Sequence, residues 1–211
     1  GVAMVMEINL NAYGVSVIPC NGKESLPKAG TVFRHFGIPL YVVWDSDKNK
    51  KTATNPTSNH RLLRLCGQPE VDWPEGVFDH YACFENDLTE TLSRELGEEF
   101  YNSARAEIQQ ELGLSNWKGA KKNPLVVAEL INRAKKNGIS PSTLEKIVER
   151  SRVYAVSYLL IGKANAARVK SMKNREQVEH VCSLRVVTPN HGHRNGNVFD
   201  QREEPLLLLA S

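Results

Sequence analysis

The chain has 211 residues and a formal net charge of +3, and its 41% hydrophobic and 24% charged content is ordinary for a soluble globular protein. No apolar run approaches the roughly 20 residues that a membrane-spanning helix needs. The first residues lack the basic segment and cleavage site of a signal peptide, and the four cysteines form no CxxC pair. We therefore expect a cytoplasmic protein with reduced thiols and no membrane association.

Hydrophobic patterning in the first part of the chain predicts alternating strands and helices. Short apolar runs that end in polar residues indicate strands, and apolar spacings of three to four residues indicate helices. In chain order we predict the end of a helix at 1–13, a strand at 15–20, a helix at 26–37, a strand at 38–44, a polar loop at 49–60 followed by one or two helical turns, and a strand at 77–84.

Helices dominate the prediction after the third strand. Apolar residues recur every four positions from Leu88 to Leu112, which predicts one helix of about seven turns. Asn123-Pro124 has the cap-and-proline pattern of a helix start, and this helix should end at Asn137-Gly138. Ser140-Pro141 repeats the pattern, so a further helix should follow and continue to about residue 150.

The predicted elements divide the chain into two parts. Residues 1–150 alternate strands and helices, which predicts an α/β domain with a mostly parallel sheet flanked by helices and an additional helical segment. Residues 151–211 change in character, because basic residues outnumber acidic ones and apolar stretches alternate with irregular polar ones. We treat them as a C-terminal extension of uncertain structure whose charge would suit contact with a polyanion.

Two aspartates directly follow the most apolar predicted strand. Asp45 and Asp47 lie in the sequence YVVWDSD, at the carboxyl end of the strand 38–44. Parallel sheets carry their functional groups at this edge, and residues two apart on an extended segment face the same side. Two converging carboxylates repel each other unless a cation is present, and Mg²⁺ prefers such oxygen ligands. The alternative is a turn in which Asp47 only caps the loop.

A second acidic group follows the third predicted strand. Glu85, Asp87 and Glu90 fall at the carboxyl end of 77–84, so the fold brings them to the same edge of the sheet as candidate metal ligands. Asp87 and Glu90 also have the D-x-x-E spacing of a capping box, in which both side chains satisfy free backbone N–H groups of a helix. Glu85 has no such alternative and is the better candidate ligand.

Two lysines complete the candidate site. Lys23 follows an Asn-Gly pair at the end of the first predicted strand, and Lys122 precedes the helix start at Asn123-Pro124. A lysine beside a metal-bound phosphate stabilises the negative charge that develops in the transition state. For both lysines, a solvated surface position is the alternative. His191-Gly-His193 has two histidines that invite a zinc interpretation, but without neighbouring cysteines a loop is favoured.

These motifs together resemble a known family. The run from Gly22 to Asp47, GKESL followed by HFGIPLYVVWDSD, and the later blocks FENDLTETL and KKNPLVVAELI resemble the Toprim nuclease domain of the OLD (overcoming lysogenisation defect) family. The resemblance covers about residues 1–150. It implies a Toprim-like fold, cleavage or nicking of DNA with divalent metal, an ATPase domain or subunit upstream, and a role in phage defence or DNA processing.

The resemblance also implies roles for individual positions. The family's metal-binding aspartate pair falls on Asp45 and Asp47, and its late lysine falls on Lys122. Its later acidic position falls within residues 85–90, in a register that one sequence leaves open. The resemblance thus assigns metal binding to the same edge of the sheet as the residue patterns do.

The chain departs from the family pattern at one point. Toprim domains use a glutamate at the end of a first strand, one helix before the segment that begins here at Val15. This sequence begins inside that helix, and Glu7 is not a convincing substitute. We therefore expect an N-terminally incomplete domain, whose activity alone depends on another acidic residue replacing that glutamate.

Three functions are compatible with these residues. The first is a Mg²⁺- or Mn²⁺-dependent endonuclease with one or two metal ions, whose expected partners are DNA, an upstream ATPase and a second copy of the chain. The second is a Toprim-like module that binds DNA or a partner without cutting it. The third is a phosphatase of the haloacid dehalogenase type, which is disfavoured because no threonine closely follows the second aspartate.

Overall fold

A computed structural model describes residues 2–50, 54–114, 123–160 and 206–210 of the chain. The strands among these residues are β1 (Ser16–Cys20), β2 (Leu40–Asp45), β3 (Gly76–Val77), β4 (Tyr81–Phe84) and β5 (Leu206–Ala210). They form one sheet in the order β1-β5-β2-β4-β3. The pairs β1–β5, β5–β2 and β2–β4 are parallel, and β3 pairs antiparallel with β4. The predicted α/β class is confirmed.

Helices cover both faces of this sheet. The bounds are α1 (Val2–Val5), α2 (Leu26–His35), α3 (Thr54–Leu65), α4 (Leu88–Leu96), α5 (Glu98–Glu111), α6 (Pro124–Lys136) and α7, which covers 142–160. Short 3₁₀ turns lie at Leu10–Tyr13, Lys23–Ser25 and Lys48–Lys50. Within the described residues, no helix is both long enough and apolar enough to cross a membrane.

Strand β2 contributes to two hydrophobic cores, one on each face of the sheet. Tyr41 and Val43 belong to a core that includes buried residues of α4, α5, α6 and α7. The alternate residues Val42 and Trp44 pack with buried residues of α2 and α3. A strand covered on both faces has no polar position, which explains its continuous apolar sequence. The two cores fix β2 and therefore fix the position of the residues that follow its carboxyl end.

The single long helix predicted for residues 88–112 is wrong. The chain forms two helices instead, and the break lies at Gly97, which has φ 85° and ψ 130°. Glycine adopts positive φ values readily because it has no Cβ, whereas other residues are strained there. The apolar spacing continues through the break because Leu92 and Leu96 on one side, and Ile108 on the other, enter the same core.

The predictions between 49 and 84 also need correction. The segment 49–60, predicted to be a loop, contains most of α3, which begins at Thr54. Pro56 lies in the first turn of this helix. Backbone N–H groups there have no acceptor within the helix, so the N–H that proline lacks costs no hydrogen bond. The strand predicted for 77–84 is a short hairpin, in which Val77 of β3 pairs with Ala82 of β4. The first error comes from turn-forming residues that lie within a helix, and the second from residues 78–80, which were assigned to a strand and form the turn of the hairpin.

The described residues of the predicted C-terminal extension, 151–160 and 206–210, belong to the same fold. Helix α7 runs through residue 150, so the predicted domain boundary falls inside a helix, and Ser151 and Ala155 are buried. Strand β5 lies between β1 and β2, near the centre of the sheet. The predictions for Lys122, Cys182 and the histidines at 191 and 193 lie outside the described residues.

Candidate functional site

The carboxyl end of β2 is joined to the carboxyl end of β4 by main-chain hydrogen bonds. The acidic loop, defined here as Asp45–Asp47, begins with the last residue of β2. Ser46 N donates to the carbonyl of Phe84 at 2.8 Å, and Asp47 N donates to the carbonyl of Asn86 at 3.3 Å. The predicted juxtaposition of the two strand ends is therefore present in the fold.

Lys23 reaches into the acidic loop from the end of β1. Its Nζ lies 3.1 Å from the carbonyl oxygen of Asp45, 3.3 Å from that of Ser46 and 3.0 Å from Oδ2 of Asp47. The amide Oδ1 of Asn59 is a fourth acceptor at 3.3 Å. An ammonium has three N–H donors, so the chain itself supplies more acceptors than Lys23 can use at once.

The backbone before Lys23 is shaped for this approach. Gly22 has φ 84° and ψ 161°, a conformation that is essentially restricted to glycine. The chain leaves β1 through this residue and enters the 3₁₀ turn that begins at Lys23. The Asn-Gly-Lys sequence, which indicated only a turn, therefore sets the direction in which the lysine leaves the strand end.

Asp47 is paired with two lysines. Its Oδ2 accepts from Lys23, and its Oδ1 accepts from Lys50 at 2.5 Å. Burial alone would raise the pKa of this carboxyl, but the hydrogen bonds from Lys50 and Lys23 outweigh it, and the pKa of Asp47 is lowered. Asp47 is thus held as an anion between a nearly buried and an exposed ammonium.

The backbone at Asp47 does not have the extended conformation on which its prediction was based. The expectation that both carboxylates face one point assumed an extended chain through Asp47. Strand β2 ends at Asp45, however, and Asp47 has a left-handed φ of 60°. Aspartate tolerates this conformation better than most residues, and its main-chain and side-chain hydrogen bonds offset the remaining strain.

Asn59 connects the acidic loop to the interior, and sequence reasoning missed it. The side chain is fully buried on α3. Its Oδ1 accepts from Nε1 of Trp44 and from Lys23, and its Nδ2 donates to the carbonyls of Ser46 at 3.2 Å and Asp72 at 2.7 Å. In the sequence, Asn59 is one polar residue within a polar segment. The structure shows that it lies on the buried face of α3.

The second loop, defined here as Glu85–Asp87, carries the other predicted acidic residues. Glu85 Oε1 accepts from Lys48 at 2.6 Å, and its Oε2 lies 3.6 Å from Arg94. The hydrogen bond from Lys48 lowers the pKa of Glu85. Lys48 N also donates to the main-chain oxygen of Glu85, so the residue directly after the acidic loop is bonded twice to the second loop.

Asp87 has the capping role that was its alternative prediction. It precedes α4 in an extended conformation, and its Oδ1 accepts from the backbone N–H of Glu90 at 2.8 Å. Glu90 does not return the bond in the manner of a capping box. Its carboxylate accepts from the side chains of Asn86 at 2.6 Å and Asn49 at 3.3 Å. Glu90 thus joins Asn86 of the second loop to Asn49, two residues after the acidic loop.

These residues provide the donor chemistry of a metal site but not a complete ligand set. Carboxylate and carbonyl oxygens at one edge suit a hard divalent cation such as Mg²⁺ or Mn²⁺. Among the side chains that the structure describes, however, no three His, Cys, Asp or Glu residues form a group that could hold a metal ion. The acidic side chains at this edge are Asp45 and Asp47 of the acidic loop and Glu85 on the adjoining loop.

The comparison with known proteins rests on the segment from α1 to the acidic loop, which contains Lys23, Asp45 and Asp47. Residues 2–47 match the family model of the TOPRIM domain of overcoming lysogenization defect protein-like proteins. The OLD-like TOPRIM resemblance predicted from the sequence is therefore confirmed over this segment. No curated protein and no solved structure matches the chain.

Proposed function

We propose that the chain is part of a Mg²⁺- or Mn²⁺-dependent DNA endonuclease of the OLD-like TOPRIM type, which nicks or cleaves phosphodiester bonds. The observation that carries this proposal is the acidic loop at the carboxyl edge of a mostly parallel sheet, within the segment that matches the family model. A nucleic-acid-processing function that depends on metal is what such a match suggests.

In this proposal Asp45 and Asp47 hold the metal, and Glu85 is the acidic side chain proposed from the adjoining loop. A bound divalent ion would polarise the scissile phosphate and activate water. The chain's own contribution is to fix these donors: β2 is buried on both faces, and Ser46 and Asp47 are bonded through their main-chain N–H groups to the end of β4. Fixed donors of this kind need no reorganisation when charge develops.

Several parts of the proposal come from the sequence. Lys122, outside the described residues, is proposed to stabilise the developing negative charge on the phosphate. DNA is the proposed substrate, and an ATPase domain or subunit and a second copy of the chain are proposed partners. Phage defence or DNA processing is the proposed setting.

A nicking assay tests the function. Supercoiled plasmid is incubated with the chain and Mg²⁺ or Mn²⁺, beside Asp45→Asn and the control Asp79→Asn. Asp79 is 74% exposed, lies on the hairpin between β3 and β4, and pairs with Arg150. The expected result is metal-dependent nicking that is lost in Asp45→Asn and retained in Asp79→Asn. Nicking that survives the Asp45 substitution would contradict the assignment.

A second candidate is a TOPRIM-like module that binds DNA or a partner without cutting it. It is favoured by one observation: Asp47 and Glu85 are each already neutralised by basic side chains of the chain itself. Binding of labelled duplex DNA in both EDTA and Mn²⁺, without any cleavage product, would support this candidate. The salt dependence of that binding would report how many phosphate contacts are made.

A further inference from the structure

Lys23 places a positive charge where the acidic loop would otherwise meet a metal ion. Its Nζ is within hydrogen-bond distance of two main-chain carbonyls, the Asp47 carboxylate and the Asn59 amide oxygen. Four oxygen atoms around one cation are the kind of environment that a hard divalent ion also takes. The lysine side chain is only 10% exposed, and that of Asp47 only 14%.

We propose that Lys23 is an internal cation that competes with a divalent metal ion for the acidic loop. The inference rests on the proposed metal site at Asp45 and Asp47. An ion bound to Oδ2 of Asp47 would use the oxygen that Lys23 now occupies at 3.0 Å. Two cations cannot share that oxygen at contact distance without strong repulsion, because screening by water is weak at a nearly buried position. Metal binding therefore displaces the Lys23 ammonium.

Asn59 is what makes Lys23 a fixed competitor. The buried amide oxygen accepts from Lys23, while the amide nitrogen is anchored on the carbonyls of Ser46 and Asp72. Gly22 directs the lysine from the other side through its glycine-restricted backbone. The ammonium is thus held by the fold and does not simply associate with the nearest carboxylate. Its displacement would free it for the phosphate contact predicted from the sequence.

Lys50 provides a matched comparison on the same carboxylate. It pairs with the other oxygen of Asp47, Oδ1, and its side chain is 60% exposed. Loss of either lysine removes one positive charge next to Asp47. Only loss of Lys23 also vacates the oxygen cluster formed by Asp45, Ser46 and Asn59. Simple charge removal predicts equal effects for the two lysines, whereas competition predicts unequal ones.

The test is the affinity for Mn²⁺, measured by electron paramagnetic resonance or calorimetry without DNA. Wild type, Lys23→Gln, Lys50→Gln and Lys23→Arg are compared, and circular dichroism checks that each is folded. We expect Lys23→Gln to bind Mn²⁺ about tenfold more tightly than wild type, a ratio that corresponds to ~1.4 kcal/mol. Lys50→Gln should gain less than about threefold, and Lys23→Arg should gain nothing.

The outcomes separate this inference from the proposed function. If wild type binds Mn²⁺ and Lys23→Gln binds it no more tightly than Lys50→Gln, competition is wrong while the metal site stands. If only Lys23→Gln binds, competition is supported and the proposed function of the wild-type chain fails. If no variant binds, both are overturned.

A measurement on the wild-type chain covers the case in which Lys23→Gln does not fold. The lysine side-chain ammonium signals are recorded by ¹H–¹⁵N spectroscopy during a titration with diamagnetic Mg²⁺. Lys23→Arg identifies the Lys23 signal, which is protected from water exchange only while it is held by the oxygen cluster. Loss of that signal as Mg²⁺ binds supports displacement, and its persistence at saturating Mg²⁺ overturns it.

Discussion

The indole Nε1 of Trp44 donates a hydrogen bond to the Oδ1 atom of Asn59 across 3.3 Å, and both side chains are fully buried. Trp44 is the residue immediately before the acidic loop, and Asn59 belongs to α3. The bond therefore ties the end of β2 to the helix that covers one face of the sheet. The same amide oxygen accepts from Lys23, so the core and the candidate site share one side chain.

Asn59→Ala should destabilise the chain by about 2–4 kcal/mol. The substitution leaves the buried Trp44 N–H without its acceptor, at a cost of about 1–3 kcal/mol. It also removes the amide bonds to Lys23 and to the carbonyl of Ser46, which keeps Lys23 as a donor, at about 1 kcal/mol. Urea denaturation measures the change. Asn102→Ala is the control, because Asn102 is exposed on α5. Equal free energies of unfolding for the two variants would contradict the role assigned to Asn59.

Asp47 should make the stability of the chain depend on acid pH. Its pKa is lowered in the folded state by Lys50 and Lys23, so the unfolded chain takes up the proton first as the pH falls. The stabilisation is therefore complete above the ordinary aspartate value of about 3.9 and is lost as the pH falls through the lower folded pKa. Asp47→Asn, which tolerates the left-handed backbone, should remove this part of the pH dependence.

Urea denaturation of wild type and Asp47→Asn at a series of pH values from 7 to 2 checks this prediction. The difference in free energy of unfolding should be largest at neutral pH and should shrink at the acid end. Stability curves of the two proteins that run parallel over the whole range would show that the lysine pairs do not stabilise the ionised carboxylate.

The residues around β2 were predictable because their signals are local. An unbroken apolar run predicts a strand covered on both faces, and its end at Asp45 follows directly from the change to polar residues. The placement of Lys23 at the same edge followed from the parallel arrangement of strand ends. The sequence could not indicate which group Lys23 binds. An ammonium at this edge of the sheet can pair with a phosphate or with oxygen atoms of the chain itself.

Asn59 and β5 escaped prediction for different physical reasons. Asn59 lies in a polar stretch with an Asn-Pro pair, and hydrophobic patterning detects a buried helix face only when that face is apolar. Strand β5 pairs with β1 and β2 across a very long sequence separation, which no local pattern encodes. The Gly97 break was missed because the apolar repeat continues across it into one core.

Substitutions at Asp87 should separate a capping role from a metal-binding role. Asp87→Ser keeps a side-chain oxygen for the N–H of Glu90 but removes the carboxylate, whereas Asp87→Ala removes both. If capping is its role, the alanine variant loses about 1 kcal/mol of stability and the serine variant much less. Affinity for Mn²⁺ should then be unchanged in both variants.

Thermal or urea denaturation gives the stability of the Asp87 variants, and calorimetry gives their affinity for Mn²⁺. A fall of about tenfold or more in the affinity of Asp87→Ser, with stability retained, would identify Asp87 as a metal ligand.

Strand β5 should be essential to the sheet because it fills the position between β1 and β2. Leu208 is paired with Ile18 on one side and with Val42 on the other. Proline at this position removes a backbone N–H and fits poorly between two hydrogen-bonded neighbours, so Leu208→Pro should cost about 3 kcal/mol or more. Leu208→Val, the control, keeps the N–H and a residue favoured in strands.

The two Leu208 variants are compared by urea denaturation and by protection of backbone amides from hydrogen exchange. In Leu208→Pro the amides of β1 and β2 should lose protection together, since both strands are hydrogen-bonded to β5 and stand on either side of it in the observed order. If both variants keep the same unfolding midpoint and the same protected amides, residues 206–210 do not form the strand between β1 and β2. The contact between Lys23, at the end of β1, and the acidic loop, at the end of β2, would then not depend on a strand between them.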